Sequence, residues 1–401
     1  MIKESGKRLP HYIKITGNLL LTVILTLSLL FQNRILVSPV NAEAGNTVIT
    51  KWKGNKEGAL SIQFADGWIS QADIAIPALN QRGLIGSFFI APGLASGYYY
   101  NARKEIWENQ VYQNGHEFDN HTWSHSGAQS YEEADQEISR LAEYIWSLKP
   151  NDLSKFHAFV RPGGVPWEIT ASQEQTILNK YHVFRLPWEG HHSFADEYEW
   201  SSTVDKMFAF VQQAIDEKIW VKVAFHGIDE HGLSVNKSNF LGFLDKIAAA
   251  EDRVWNGGYT QIYKYIQERD TATISILEVN ENRIILKLIS DQDSSLYDQP
   301  LTLITEVPIH WQTCLVNQDR TYPVKNGHVQ YEVIPNKGDT ILTGNPKDCL
   351  TGNDKKINAD DVLLLLGNYL KTIIPLDFHG DNLINTIDYG YLIQIWGQTC
   401  N

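Results

Sequence analysis

The chain has 401 residues, more than one ordinary hydrophobic core accommodates, so two or three domains are expected. Its 43% hydrophobic and 20% charged content excludes a disordered or multi-span membrane protein. The net charge of −13 argues against nucleic acid as a partner, because nothing would neutralise the phosphates, and is compatible with a chain that binds cations.

Lys3, Lys7, Arg8 and Lys14 precede an apolar run from Ile15 to Phe31, and small residues follow at Val40-Asn41-Ala42 or Ala42-Glu43-Ala44. That order predicts a signal peptide over residues 1–44, with an uncleaved membrane anchor as the alternative. Either way the rest of the chain is expected outside the cytoplasm, secreted or at the cell surface.

Residues 45–271 alternate strand-like and helix-like runs. Ala59 to Phe64, Gly86 to Ile90, Phe156 to Val160 and Trp220 to Phe225 read as strands; Ala72 to Gln81, Glu132 to Ser147 and Val204 to Asp216 read as helices. Such alternation predicts an α/β sheet or barrel with parallel strands. Over residues 272–343 the helical period disappears, and the runs Ile274 to Val279, Arg283 to Ile289 and Leu301 to Val307 predict a small β-sandwich. Gly344-Asn345-Pro346 reads as a linker into a tail of two similar segments over residues 344–401.

The strongest chemical signal is His121-Thr122-Trp123-Ser124-His125, which on one helical turn would point two imidazoles the same way. Asp66 falls at the end of the first strand of the α/β region, where functional residues of such sheets collect. Two histidines and a carboxylate suit a divalent transition metal, zinc first, with positions left open for water.

These residues lie in segments that resemble the motifs of the polysaccharide deacetylases (carbohydrate esterase family 4). Ile62-Gln63-Phe64-Ala65-Asp66-Gly67 is similar to the first motif, and Gly115-His116-Glu117 with Asn120 and the run from His121 to His125 to the second. Arg161-Pro162-Gly163-Gly164 resembles the third, and Ala224-Phe225-His226-Gly227 the fifth. For the fourth, Asp196-Glu197-Tyr198-Glu199-Trp200 competes with Trp188-Glu189. The resemblance implies a distorted (β/α) barrel and a metal-dependent de-N-acetylase of an amino-sugar polysaccharide, chitin-like or peptidoglycan-like. It assigns metal binding to Asp66, His121 and His125, the general acid to His226, and orientation of the catalytic carboxylate to Arg161. Trp123, Trp167 and Trp188 lie beside the motifs and are candidates for stacking on sugar.

One position departs from the pattern. Where the family places its base carboxylate this chain has Ala65, and loss of a general base costs about 10²–10⁴ in rate. Glu117, Asp119 and Glu189 are candidates for a displaced base. The alternative is a weak or inactive glycan-binding relative.

In the tail, Asp377, Asp381, Asn385 and Asp388 stand at positions 1, 5, 9 and 12 of a loop, echoed upstream by Asp354, Asn358 and Asp361. The tandem resembles a dockerin type I module, an α-helical pair of Ca²⁺ loops, which implies a cohesin-type partner. The same resemblance brings the module's ends together and so implies a Cys349–Cys400 disulfide, leaving Cys314 as a free thiol in the β-rich domain.

Overall fold

A computed structural model of the chain describes residues 44–149, 155–186, 191–193, 202–230, 232–308, 311–346, 359–369, 384–386 and 388–390. All described elements belong to the compact unit Gly45–Asn401. The expected signal peptide lies outside the described residues except for Ala44, and no described helix is long and apolar enough to cross a membrane.

The first strands in chain order are β1 (Thr47–Ile49), β2 (Gly58–Asp66), β3 (Gly86–Ile90), β4 (Glu117–Asn120), β5 (His157–Ala158) and β6 (Val183–Phe184). They are followed by β7 (His191–Ser193), β8 (Trp220–Phe225), β9 (Gly227–Ile228), β10 (Ser234–Val235) and β11 (Val254–Asn256). Strand β2 is the centre of the α/β region. It pairs in parallel with β8 along one side, and along the other first with β11 and then with β3. The Asn256 side chain bridges this change of partner, accepting from Ile85 N and donating to Ile85 O.

From β3 the sheet continues to β4, across a parallel bridge between Asn120 and Phe159 to β5, and on to β6; β7 extends the other end beyond β8. The arc β7-β8-β2-β3-β4-β5-β6 matches the expected distorted barrel, with no ladder among the described residues joining β6 to β7. Leu60, Ile62 and Phe64 on β2 pack against the helical layer; Phe64 stacks on Phe88 at 4.8 Å. Helix Tyr131–Leu148 shows why these segments are helical: Ser130 caps it by accepting from Glu133 N, and Ala134, Ile138, Leu141, Ala142 and Ile145 form one buried stripe.

The β-rich region comprises β12 (Thr273–Val279), β13 (Arg283–Ile289), β14 (Leu301–Glu306), β15 (Trp311–Val316), β16 (Arg320–Lys325), β17 (His328–Val333) and β18 (Asp339–Pro346). They form one antiparallel sheet in the order β1-β14-β17-β16-β15-β18-β13-β12, not the expected two-sheet sandwich. The sheet curls towards a barrel: a Cβ on Gly45, beside β1, would stand 2.7 Å from Val279 on the opposite edge strand. Alternating burial looks the same from sequence in either architecture, and the contribution of β1 from before the α/β region has no local signal.

The expected linker Gly344-Asn345-Pro346 is instead the end of β18. Gly344 is required there because a Cβ would meet the Trp311 indole at 1.9 Å. Trp311, Leu286, Val329 and Tyr331 share one core with Trp52, Trp255, Ile262 and Tyr265, so the curled sheet packs against helix Tyr259–Thr271 of the α/β region. Cys314 is buried in β15 as a free thiol, pushed up to about 12 by burial.

Most of the dockerin-like tail lies outside the described residues, including Asp354, Asn358, Asp377, Asp381, Cys349 and Cys400. Asp361 falls inside the helix Ala359–Gly367. Asp388 is buried and accepts from Asn385 N at 2.8 Å.

Candidate metal centre and substrate cavity

Asp66 ends β2 in a left-handed conformation, φ 74°, followed by Gly67 at φ 79°. Along a strand successive side chains alternate, so Asp66 would face away from Ala65; the left-handed turn re-aims it towards the strand ends. On the neighbouring strands, His121 follows directly after β4 and donates its backbone N–H to Ile90 O.

The two histidines do not share a helical turn. Thr122 and His125 both have positive φ, 63° and 58°, and the run forms a tight loop. Asn120 Oδ1 accepts from Thr122 N, and Glu137 accepts from both the backbone N and the hydroxyl of Ser124. Two non-glycine residues held in this region mark stored strain, of the kind found at functional sites.

The loop brings both imidazoles to one carboxylate oxygen. His121 Nε2 is 3.3 Å and His125 Nε2 3.4 Å from Asp66 Oδ1. His121 Nδ1–H donates to Val160 O at 2.7 Å, which orients the ring and aims Nε2 at Asp66. Asp66 Oδ1 is buried and has no hydrogen-bond donor. A buried anionic oxygen beside two imidazole Nε2 atoms fits a cation, and among the described residues this is the only cluster of three such groups.

The other Asp66 oxygen accepts from Trp68 Nε1 at 3.0 Å and stands 3.8 Å from His226 Nε2. Burial pushes the Asp66 carboxyl upward, but His121, the charge of His226 and the Trp68 N–H outweigh it and hold the group well below the ordinary carboxylate range. His125 is lowered by burial and by the neighbouring His121. Gln71 fixes the relation between first and fifth motifs, donating from Nε2 to both Ala65 O, at 2.6 Å, and His226 O, at 2.8 Å.

A cavity of about 680 Å³ opens beside the cluster, lined by Gln63, Ala65, Phe89, Val160, Arg161 and Leu233 together with Asp66, His121, His125 and His226. Asp66 is the one carboxylate among its described lining residues. Glu117 and Asp119 are not among the described residues that line this cavity. Glu117 accepts from Thr260 N, Gln261 N and the Ser87 hydroxyl at the start of helix Tyr259–Thr271. Asp119 accepts from Ala158 N. Burial raises both carboxyls, and the charge of Glu117 adds to the effect on Asp119. Glu189 lies outside the described residues, as does Trp188.

Arg161 lines the cavity, but its Nε and Nη2 both donate to Glu174 Oε2, at 3.2 and 2.7 Å. Glu174 also accepts from Trp167 Nε1 and from Arg185. Trp167 is thus part of this network, and Trp123 packs under Arg140 and against Tyr144; neither is among the described lining residues. Sequence reasoning missed Trp68, Gln71, Glu174 and Arg185. Trp68 alone had a local signal, two positions after a motif aspartate.

The polysaccharide deacetylase family pattern matches residues 53–177. A gellan lyase from a Bacillus species is 22% identical over 304 residues, covering 67% of this chain; the chain spans 12% of that protein's length. Among solved structures, a family 4 carbohydrate esterase from Streptomyces lividans in complex with acetate is similar at 19% identity and a TM-score of 0.35, covering 50% of this chain and 93% of that one. A peptidoglycan deacetylase from Bacillus subtilis gives 14%, 0.38, 54% and 95%. A family 4 pseudoenzyme from Bacillus anthracis gives 14%, 0.38, 52% and 66%. The matched region, which carries Asp66, His121 and His125, is thus a polysaccharide deacetylase-like domain.

Proposed function

We propose that this domain holds one divalent ion, zinc first, through Asp66, His121 and His125, and seats an acetylated amino-sugar unit of a polysaccharide in the adjoining cavity. It hydrolyses the acetamide slowly. The observation that supports this reading best is a complete three-ligand set in a cavity whose described lining offers no second carboxylate. A bound ion supplies Lewis-acid polarisation of a carbonyl and acidifies water. His226, beside Asp66, donates a proton to the departing amine, and Gln71 keeps its backbone in place. Trp68 holds the second oxygen of Asp66, so the carboxylate presents the other to the imidazoles. Phe89, Val160 and Leu233 shield the reacting amide from bulk water.

The second reading is binding without turnover. Ala65 favours it, and so does the engagement of Arg161 by Glu174. Acetate release from chitin oligomers and from peptidoglycan by the zinc-loaded full chain separates the two. Slow release that disappears in His226→Ala supports hydrolysis. Saturable oligomer binding without release supports the second reading, and release unchanged in Asp66→Ala contradicts both.

A further inference from the structure

Ser61, Gln63 and Ala65 project from the same face of β2, and the last two line the cavity beneath Asp66. Position 65 holds a methyl group where the motif has a carboxylate. In register with Gln63 on β8 is another small residue, Ala224, which also lines the cavity. Both alanines are small residues of the cavity wall next to Gln63. Gln63 itself is only 3% exposed, and its Nε2 is buried without a hydrogen-bond partner. A buried amide N–H is seldom left unmade, so this one calls for an acceptor carried by a ligand. The apolar part of the cavity lining includes Phe89, Val160 and Leu233. An acetyl methyl would satisfy those walls and leave Gln63 unpaired.

We propose that Gln63 is a specificity-determining residue that favours an N-acyl group longer than acetyl with an oxygen on the carbon next to the carbonyl, hydroxyacetyl being the simplest. Gln63 Nε2–H donates to that oxygen, and the space left by Ala65 and Ala224 receives it. This rests on the reading that the cavity seats an N-acylated amino sugar, and it names the acyl class.

Calorimetric titration of the full chain, zinc-loaded and zinc-free, with chitotriose carrying N-hydroxyacetyl, N-propionyl or N-acetyl groups tests it. Hydroxyacetyl and propionyl have nearly equal size and differ in the hydroxyl. The native protein is expected to bind the hydroxyacetyl trimer about five- to tenfold more tightly than the propionyl trimer, the worth of one hydrogen bond. Gln63→Leu is expected to bring the ratio to near one, with Gln63→Thr as a smaller polar substitute should the leucine variant misfold. Equal binding of the two trimers by the native protein, or a preference that survives loss of the amide, overturns this inference alone. Failure of all three trimers to bind overturns it together with the reading on which it rests.

Discussion

Arg161 and Glu174 form a fork: both Nε and Nη2 of the guanidinium donate to a single carboxylate oxygen. Glu174 is 4% exposed, and the arginine reaches it from the cavity wall. In the family resemblance this arginine orients the catalytic base. Here, where that base is absent, a helix residue thirteen positions on takes the guanidinium.

Glu174→Gln is therefore expected to lower stability by about 2 kcal/mol, below the usual cost of breaking a fully buried pair because both arginines are about one-third exposed. Thermal unfolding of the full chain checks this. A melting temperature equal to that of the native protein would show that the network adds nothing.

Metal content is expected to depend on His121 and His125 and not on His226. Purified His121→Ala and His125→Ala are expected to lose most of the one equivalent of zinc bound by the native chain, whereas His226→Ala retains it. The ground is geometry: His121 and His125 share the unpartnered Asp66 oxygen, while His226 faces the other at 3.8 Å. Equal zinc in all four proteins would refute the assignment.

Glu268 makes a pH-dependent contribution away from the site. Burial raises its carboxyl to about 7, with the Asp298 charge adding and the Gln299 N–H and Lys264 opposing. A carboxyl whose folded pKa exceeds its unfolded value stabilises fully below the unfolded value and loses that contribution as pH rises through the folded one. Stability is expected to fall by about 2 kcal/mol between pH 4.5 and 7.5 through this group. Glu268→Gln, which keeps an acceptor for Gln299 N, is expected to flatten that fall. Urea unfolding at several pH values measures it; parallel profiles for the two proteins would contradict the assignment.

Much of the α/β region was legible because its signals are local. Asp66 ends a strand, and four-residue spacing brings His121 and His125 together. The device that unites them was not legible, since a helix and a loop with two left-handed residues give the same proximity. Position 65 announced a missing base, but nothing near Arg161 in sequence pointed to Glu174, whose approach depends on how helix Ala171–Lys180 packs. In the β-rich region the alternation was read correctly and its closure was not. Strand β1 and Gly344 act through partners hundreds or tens of residues away, Thr305 and Trp311.

Gly344→Ala is expected to destabilise the curled sheet by about 2 kcal/mol, because its methyl would overlap the Trp311 indole and force that ring from the core. Tryptophan fluorescence and melting temperature would both shift. An unchanged melting temperature would mean that the indole moves without cost.

Whether an intact metal set works without its base is read from acetate release from chitin oligomers by native protein and Ala65→Asp at matched zinc content. Restoring the carboxylate is expected to raise the rate at least about tenfold, a cautious figure within reach of general-base catalysis. A native rate already equal to that of the variant would contradict this expectation and show that another group serves as the base.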